Sequence, residues 1–281
     1  MTDSLNALLQ QLGSERAVRF GNTMSDETLS TDARGFGPAF SATPIRSFHG
    51  ICKGLVSNLD VIVATSVDHV SPKDPAQSML NTLDAATYVA RRFGRKNVLV
   101  LDTNTATLES TLTDWNRQKR ARGISVETNT LAGFMDCLVR GESCSTVLAV
   151  LPTLYQPLCD LLIGMSGAAP MTIQANQTDG LEIVAAQTGA EWTPAALIPA
   201  LITSMVLDGE LASARTLERS WLKSLEDGLI TEGLETLAPA EKPITFNHFC
   251  EAIVDNLDKS PRQLMPSLAP QQTIGANLTL V

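Results

Sequence analysis

A single carboxylate is the most conspicuous polar group in the stretch VLAVLPTLYQPLCDLLIG, residues 147–164. An apolar run ends at a proline, and Asp160 follows on what the residue pattern predicts to be the next helix. The aspartate could mark the rim of an active site, or remain from a site that has been lost. It could also simply cap its helix or pair with a neighbouring chain.

Histidine and cysteine offer fewer chemical possibilities. His69 follows Asp68 in a predicted turn, an arrangement that suits a general base but is equally explained by a solvated turn. The five cysteines form no CxxC pair and have no metal-ligand spacing with the three histidines. Buried, reduced thiols are therefore expected.

Composition excludes several classes of function. The chain has 281 residues, is 44% hydrophobic and carries a formal net charge of -9, with a pI near 4.9. Such an acidic protein is not expected to bind nucleic acid or an anionic membrane, because both need a basic surface. No apolar run approaches the length of about twenty residues that a membrane helix needs, and the first residues do not form a signal peptide. We expect a cytoplasmic protein.

The predicted elements alternate between strands and helices, which indicates an α/β fold. Apolar, β-branched runs predict buried strands over 60–66, 97–103 and 146–151, with further strands over 124–128, 172–174 and 181–185. Helical spacing predicts helices at the N-terminus and over the following ranges: 51–59, 76–93, 108–120, 130–140 and 194–219. Residues 21–43 are predicted to be irregular, and the proline-containing tail after Ser260 to be a loose arm.

The order of these segments, from about Gly50 to Leu217, resembles the isocitrate and 3-isopropylmalate dehydrogenase family. GLVSNLDVIV is similar to the family's LFANLRP segment, and ATYVARRFGRKNVLVLDTNTATL to its helix, turn and strand ending in a DKANVL-type motif. TLAGFMDCLVRGESCSTVLAVLPTLYQPLCDLL resembles the helix and strand that lead to NxFGDxLSD. AALIPALITSMVLDGELASARTLE resembles a late core helix, usually PTAAILSAAMML.

The resemblance implies a substrate and metal site whose charged residues have mostly been replaced. Gln156 and Asp160 occupy the metal-ligand positions, so one carboxylate of a pair remains. Thr103, beside Asp102, occupies the position of the catalytic lysine, and Asp60 that of an arginine that grips a substrate carboxylate. Asp102, Thr103, Asn104, Gln156, Asp160 and Asp60 are therefore the candidate ligand-binding residues, with Asp160 the only candidate metal ligand. No confident catalytic residue is identified.

The nucleotide-binding segments of the family also lack counterparts. Its N-terminal GDGIGP strand-turn is absent, and only AAQTGAEWT occupies the place of its HGSAPDIAGKGIANP loop. The expected architecture is therefore two-lobed and isopropylmalate-dehydrogenase-like without the N-terminal nucleotide-binding strand-turn. Residues 1–66 and 180–281 are predicted to form the larger lobe and residues 67–179 the smaller. The smaller lobe should carry a dimer contact through helices over 132–138 and 157–163.

Three functions follow, in decreasing order of support. The first is a catalytically degenerate member of this family, a pseudoenzyme acting as a structural, regulatory or binding subunit, either as a homodimer or with a paralogue. No cofactor is expected in that case. The second is an enzyme with altered chemistry on a small anionic metabolite, for example acyl transfer, since phosphate acyltransferases share the fold. The third is a residual NAD-dependent 2-hydroxy-acid dehydrogenase. Only the alternatives would use Mg²⁺ or Mn²⁺ and NAD.

Overall fold

A computed structural model describes most of the chain, as a set of segments. The described residues are 2–12, 28–31, 39–47, 54–56, 59–67, 75–102, 112–113, 115, 123–142, 144–167, 172–176, 180–184, 194–231, 243–264 and 266–270.

The elements alternate between strands and helices along much of the chain. The strands are β1 (Thr28–Thr31), β2 (Phe40–Arg46), β3 (Leu59–Ser66), β4 (Asn97–Asp102), β5 (Ser125–Thr130), β6 (Cys144–Ala149), β7 (Thr172–Asn176) and β8 (Gly180–Val184). The helices are α1 (Thr2–Gln11), α2 (Pro75–Arg92), α3 (Leu131–Val139), α4 (Pro152–Ser166), α5 (Pro194–Asp208), α6 (Leu211–Glu226) and α7 (Phe246–Asp255). The α/β class predicted from the sequence is confirmed.

The described strands form one mixed, eight-stranded sheet in the order β1-β8-β7-β2-β3-β6-β4-β5. β3, β6, β4 and β5 run parallel to one another, and the other neighbours are antiparallel. Strands from both predicted lobes lie in this sheet. The division into lobes at residues 66 and 180 stays a prediction.

Helices cover both faces of the sheet and bury two hydrophobic cores. On β3, Ile62 and Ala64 point into the first core, which also contains apolar residues of α1, α2, α5, α6 and α7. Val61 and Val63 point into the second core, with residues of α3 and α4. A parallel strand covered on both faces needs a continuous apolar run, which is why DVIVATS could be recognised as a strand. None of the described helices has the length and apolarity needed to cross a membrane.

The helix predicted over 194–219 is in fact two helices. α5 ends at Asp208 and α6 begins at Leu211, with Gly209 between them at φ +85°. This left-handed conformation favours glycine and breaks the hydrogen-bond ladder of a helix. Apolar spacing continues across the break because both helices pack on the same core.

The helix predicted over 51–59 is also wrong where the structure describes it. Gly54, Leu55 and Val56 are not helical, and Leu59 begins β3. The Val56 N–H donates to the Met165 carbonyl at 3.2 Å. A Cβ on Gly54 would lie 2.6 Å from the Ser166 carbonyl oxygen, so close packing against the end of α4 decides this conformation.

Part of the stretch predicted to be irregular, residues 21–43, forms strands. β1 pairs with β8, and β2 pairs with β3 along its whole length. β2 contains Pro44, but its pairing with β7 covers only Phe40–Ala42. The proline, which has no N–H to donate, therefore lies beyond the part of β2 that pairs with the described residues of β7. Pairing with strands that are distant in the chain therefore stabilises β1 and β2, which local residue preference did not predict.

The tail after Ser260, predicted to be a loose arm, is packed where the structure describes it. Leu268 is 4% exposed and Ala269 1% exposed, and both belong to the first core. The carboxylates of Glu218 and Glu226 hold the backbone of this segment. The arm therefore belongs to the folded body up to Pro270.

Candidate functional site

The carboxyl ends of the parallel strands form the edge at which an open α/β sheet binds ligands. The helix that follows β3, α2, packs on the first-core face of the sheet. The helix that follows β6, α4, packs on the second-core face. These neighbouring strands are therefore a topological switch point, where a crevice opens beyond the strand ends. β4, the other neighbour of β6, ends in this region at Asp102.

The backbone of Asp102 thus lies at this edge of the sheet. Its side chain, together with Thr103 and Asn104, lies outside the described residues. His69 and Asp68 lie outside them as well. The role of these positions as ligand-binding residues stays a prediction.

Gln156 and Asp160 lie one turn apart on the exposed side of α4. The Gln156 Nε2 amide donates to Asp160 Oδ1 at 2.7 Å. Leu151, not an acidic residue, is the N-cap of this helix, and Pro152 occupies its first turn. Asp160 is therefore not a helix cap, and one of its oxygens already accepts a hydrogen bond from its neighbour.

This pair does not fit a divalent cation. Mg²⁺ and Mn²⁺ prefer several oxygen ligands with compensating negative charge, whereas the pair offers one carboxylate and an amide. Within the described part of the chain, no three His, Cys, Asp or Glu residues converge into a metal-binding group.

Asp60 lies on the other side of the sheet from this pair. It follows the alternation of Ile62 and Ala64 and so points to the first-core face, whereas α4 covers the second-core face. Asp60 is also near the start of β3, at the end of the parallel strands opposite to Asp102. The fold therefore does not gather the candidate residues into one site.

The Asp60 carboxylate forms a bidentate ion pair with Arg95. Arg95 Nη1 donates to Oδ2 at 2.8 Å and Nη2 to Oδ1 at 2.7 Å. The side chains of Arg95 and Asp60 are 9% and 24% exposed, respectively. Asp60, at the position where the resemblance implies an arginine, is therefore bound to the protein's own Arg95.

Arg46 and Glu218 extend this pair into a buried cluster of two arginines and two carboxylates. Arg46 lies opposite Asp60 in the sheet, and its Nη1 is 3.7 Å from Glu218 Oε1. Burial lowers the pKa of Arg46, and the charges of Asp60 and Glu218 oppose that shift. Burial also raises the pKa of Glu218, opposed by the backbone N–H groups of residues 267–269 and by Arg46.

Sequence reasoning missed three of the four members of this cluster. They are distant in the chain, and only Asp60 was identified as a candidate. One signal was present: Glu218 lies within the apolar face of its helix, beside Leu217, Trp221 and Leu225. A carboxylate in such a face needs a buried partner.

The buried thiols are poor nucleophiles. Burial raises the pKa of Cys159 to about 12 and that of Cys250 to about 12. Beside Cys159, the hydroxyl groups of Thr43 and Tyr155 share a hydrogen bond of 2.7 Å that ties α4 to β2. Among the described residues, Cys137, Cys159 and Cys250 are free thiols. Cys159 and Cys250 are buried, as predicted, whereas Cys137 on α3 is half-buried.

An open groove of about 310 Å³ lies between α3, the amino half of β4 and residues of β5. Asn97, Glu127, Asn129 and Glu142 contribute its polar groups, and Phe134 and other apolar residues the rest. Asp60, Gln156 and Asp160, the candidate ligand-binding residues whose side chains the structure describes, do not line it.

Two solved structures are similar to this fold. The TT0538 protein from Thermus thermophilus matches with a TM-score of 0.65 and 17% identity, over 99% of this chain and 70% of its own. An isocitrate dehydrogenase from Methylococcus capsulatus matches with a TM-score of 0.56 and 20% identity, over 82% of this chain and 80% of its own. The chain has an isocitrate/isopropylmalate dehydrogenase-like fold.

The resemblance inferred from the quoted motifs is thereby confirmed at the level of the dehydrogenase-like fold. No protein-family model matches the sequence, and no curated protein sequence does. At identities of 17% and 20%, the likeness concerns the fold and does not transfer an activity.

Proposed function

We propose that this chain is a catalytically degenerate protein of the dehydrogenase-like fold, acting as a structural, regulatory or binding subunit. The observation that carries the proposal is the Asp60–Arg95 ion pair. Asp60 carries negative charge at the position where the resemblance implies a substrate-binding arginine, and the positive groups that the structure describes beside it are already engaged in a cluster of balanced charge. Catalysis of the family's kind needs unpaired positive charge to hold an acidic substrate.

The state of α4 supports the same proposal. Where the resemblance implies two metal-binding carboxylates, Gln156 instead donates to Asp160. With only one of the two carboxylates, this position would bind a divalent metal weakly. The metal's neutralisation of substrate charge would then be lost. A residual NAD-dependent dehydrogenase is the least supported of the three functions.

We propose further that the protein assembles through the exposed sides of α3 and α4, as a homodimer or with a paralogue. Val139 at the end of α3 is 77% exposed, and Leu161 on α4 is 46% exposed. Large apolar side chains on two helices that share one core provide a surface that a partner could cover. An isologous contact between two copies would bury this surface on both copies.

An enzyme with altered chemistry on a small anionic metabolite is the alternative. The position of Asp102 at the switch point favours it, because that crevice is the general ligand site of open α/β sheets. Acyl transfer is the reaction class that the shared fold makes most accessible.

Ligand-dependent thermal stability distinguishes these functions. The purified full chain would be melted with Mg²⁺ or Mn²⁺, NAD or NADP, and panels of 2-hydroxy acids, acyl phosphates and CoA. The proposal expects no shift, whereas a ligand at about a hundred times its dissociation constant would add roughly 2.7 kcal/mol. A saturable shift with a nicotinamide cofactor and metal would overturn it, and one with an acyl phosphate or CoA would establish the alternative.

A matched pair of variants sharpens the test. Asp160→Ala and Asp136→Ala each remove one exposed carboxylate from α4 and α3, respectively. If a metal or metabolite binds and only Asp160→Ala abolishes it without lowering the melting temperature, Asp160 is a working ligand and the degenerate-site proposal fails.

The assembly proposal has its own experiment, sedimentation velocity at several concentrations. The double variant Val139→Asp and Leu161→Asp should sediment as a monomer if the native chain is a dimer. Ala7→Asp places the same charge on the exposed side of α1 and should leave the dimer intact. A native chain that is monomeric at all concentrations excludes the homodimer.

A further inference from the structure

The C-terminal strap, residues 261–264 and 266–270, lies along α6 and is held by side chains of that helix. Glu226 accepts three backbone hydrogen bonds at one end of it, from Arg262, Gln263 and Leu264 at 2.8, 2.5 and 2.7 Å. Glu218, two turns earlier, accepts three at the other end, from Ser267, Leu268 and Ala269 at 2.6, 2.7 and 2.8 Å. Arg215, one turn earlier again, donates to the Pro270 carbonyl.

Ser267 also joins the strap to the buried charges. Its carbonyl accepts from Arg95 Nη2 at 3.1 Å, and its hydroxyl donates to Asp60 Oδ1 at 3.3 Å. The Asp60–Arg95 pair and Glu218 therefore contact one residue of the strap from three directions. This inner end lies at the start of β3, and the outer end at the C-terminus of α6.

Apolar contacts lie between and beside these two ends. Leu264 is 8% exposed, and Leu268 and Ala269 are buried in the first core. Pro270 packs so closely on Gly94 that a Cβ there would lie 3.0 Å from the proline Cβ. Pro266, with its fixed φ, links the two anchored ends and limits their independent movement.

The strap takes no part in the sheet or in a helix. The hydrogen bonds of its described backbone run to the side chains of α6 and Arg95. Removing it would therefore break no strand pairing and no helical ladder among the described elements. The free energy needed to open a segment of this kind locally can be smaller than the free energy of global unfolding.

We propose that the C-terminal strap is a latch that opens and closes as one unit, with Glu226 as its outer fastening and Glu218 with the Asp60–Arg95 pair as its inner one. In the closed state it covers an apolar strip of α6 and the buried charge cluster. Opening uncovers both together, since the same short segment shields them. This proposal does not rest on the proposed function of the protein.

Hydrogen exchange on the full chain tests the latch. The amides of residues 262–264 and 267–269 should exchange with a common opening constant, faster than those of β3 and α6. Glu226→Gln replaces one charged acceptor at the outer end and should raise exchange about tenfold at both ends, as expected for weakened charge-assisted hydrogen bonds. Glu251→Gln, an exposed carboxylate on α7, is the control and should change neither end.

Glu218→Gln is the corresponding inner variant, but it changes a fully buried group and could prevent folding. Ser267→Ala is the milder inner variant, and it should raise exchange about threefold at residues 262–264, far from the substitution. If either variant raises exchange only at its own end, the two ends open separately and the proposal is wrong. Equal acceleration in β3 and α6 would also overturn it, because the strap would then open only with the whole protein.

Discussion

The guanidinium group of Arg95 holds both carboxylate oxygens of Asp60, with donor–acceptor distances of 2.8 and 2.7 Å. Asp60 precedes the apolar run of β3, and Arg95 follows α2 immediately before β4. The pair therefore joins the starts of two strands that β6 separates in the sheet. An aspartate at this position stabilises the fold and reverses the charge that the dehydrogenase resemblance implies for a substrate-binding residue.

Asp60→Ala should lower the free energy of unfolding by about 3 kcal/mol, because it leaves a largely buried arginine without its carboxylate. Urea denaturation of the variant measures the loss. Asp136→Ala removes an acid from an exposed pair with Arg140, whose side chains are 56% and 66% exposed, and should cost less than about 1 kcal/mol. Equal losses in the two variants would contradict a structural role for Asp60.

Two glycines should respond to alanine in opposite directions. Gly209 has φ +85° and no neighbour within 4 Å of the place where an alanine Cβ would lie, so Gly209→Ala should destabilise by about 1–2 kcal/mol through backbone strain alone. Gly164 lies inside α4, also with open space around it, and Gly164→Ala should stabilise by about 0.5–1 kcal/mol. Thermal melts of both variants check the signs, and a neutral Gly209→Ala would mean that the break between α5 and α6 does not need glycine.

Acid should weaken the hydrogen bonds between the Glu226 carboxylate and the backbone of residues 262–264. Partial burial raises the pKa of this carboxyl group, but the backbone N–H groups of residues 262–264 and the charge of Lys223 lower it by more, so the net shift is downward from 4.5. A group whose pKa is lower in the folded state stabilises the protein above its unfolded pKa and loses that contribution as pH falls through the folded value. The melting temperature should therefore fall below about pH 4.5, and less steeply in Glu226→Gln. Identical slopes in the two proteins would exclude this linkage.

The buried thiols should resist alkylation in the native protein. Since burial raises the pKa of Cys159 and Cys250 to about 12, almost no thiolate is present at pH 8. Peptide mapping after iodoacetamide treatment should find both residues unmodified until denaturant is added. Rapid native labelling of Cys159 would show that α4 leaves the sheet far more often than its packing indicates.

Sequence reasoning predicted the elements whose residue pattern is local. β3, β4 and β6 were found because parallel central strands are apolar on both faces, and α2, α3 and α4 because of their helical spacing. It failed at residues 40–43, where pairing with two neighbouring strands outweighs weak local preference, and at residues 54–56, where contact with the end of α4 sets the backbone.

The candidate site divided in the same way. Motif order identified Gln156 and Asp160 as candidate metal-ligand positions. The structure places them in contact, because residues four positions apart are neighbours in an α-helix. Motif order also grouped Asp60 with them. The side chain of Asp60 points to the first-core face of the sheet, however, whereas α4 packs on the second-core face.

By itself, then, the amino-acid sequence determined the α/β class, the order of most elements and the resemblance to the dehydrogenase-like fold. Only the tertiary structure decided that Asp60 binds Arg95, that Glu218 is buried with Arg46, and that the tail packs along α6. Local pattern reflects interactions between residues a few positions apart, whereas these interacting groups come from segments up to about two hundred residues apart, as with the Asp60 carboxylate and the Ser267 hydroxyl. Their pairing depends on chain topology, which brings them into one low-dielectric space where an unpaired charge would be too costly.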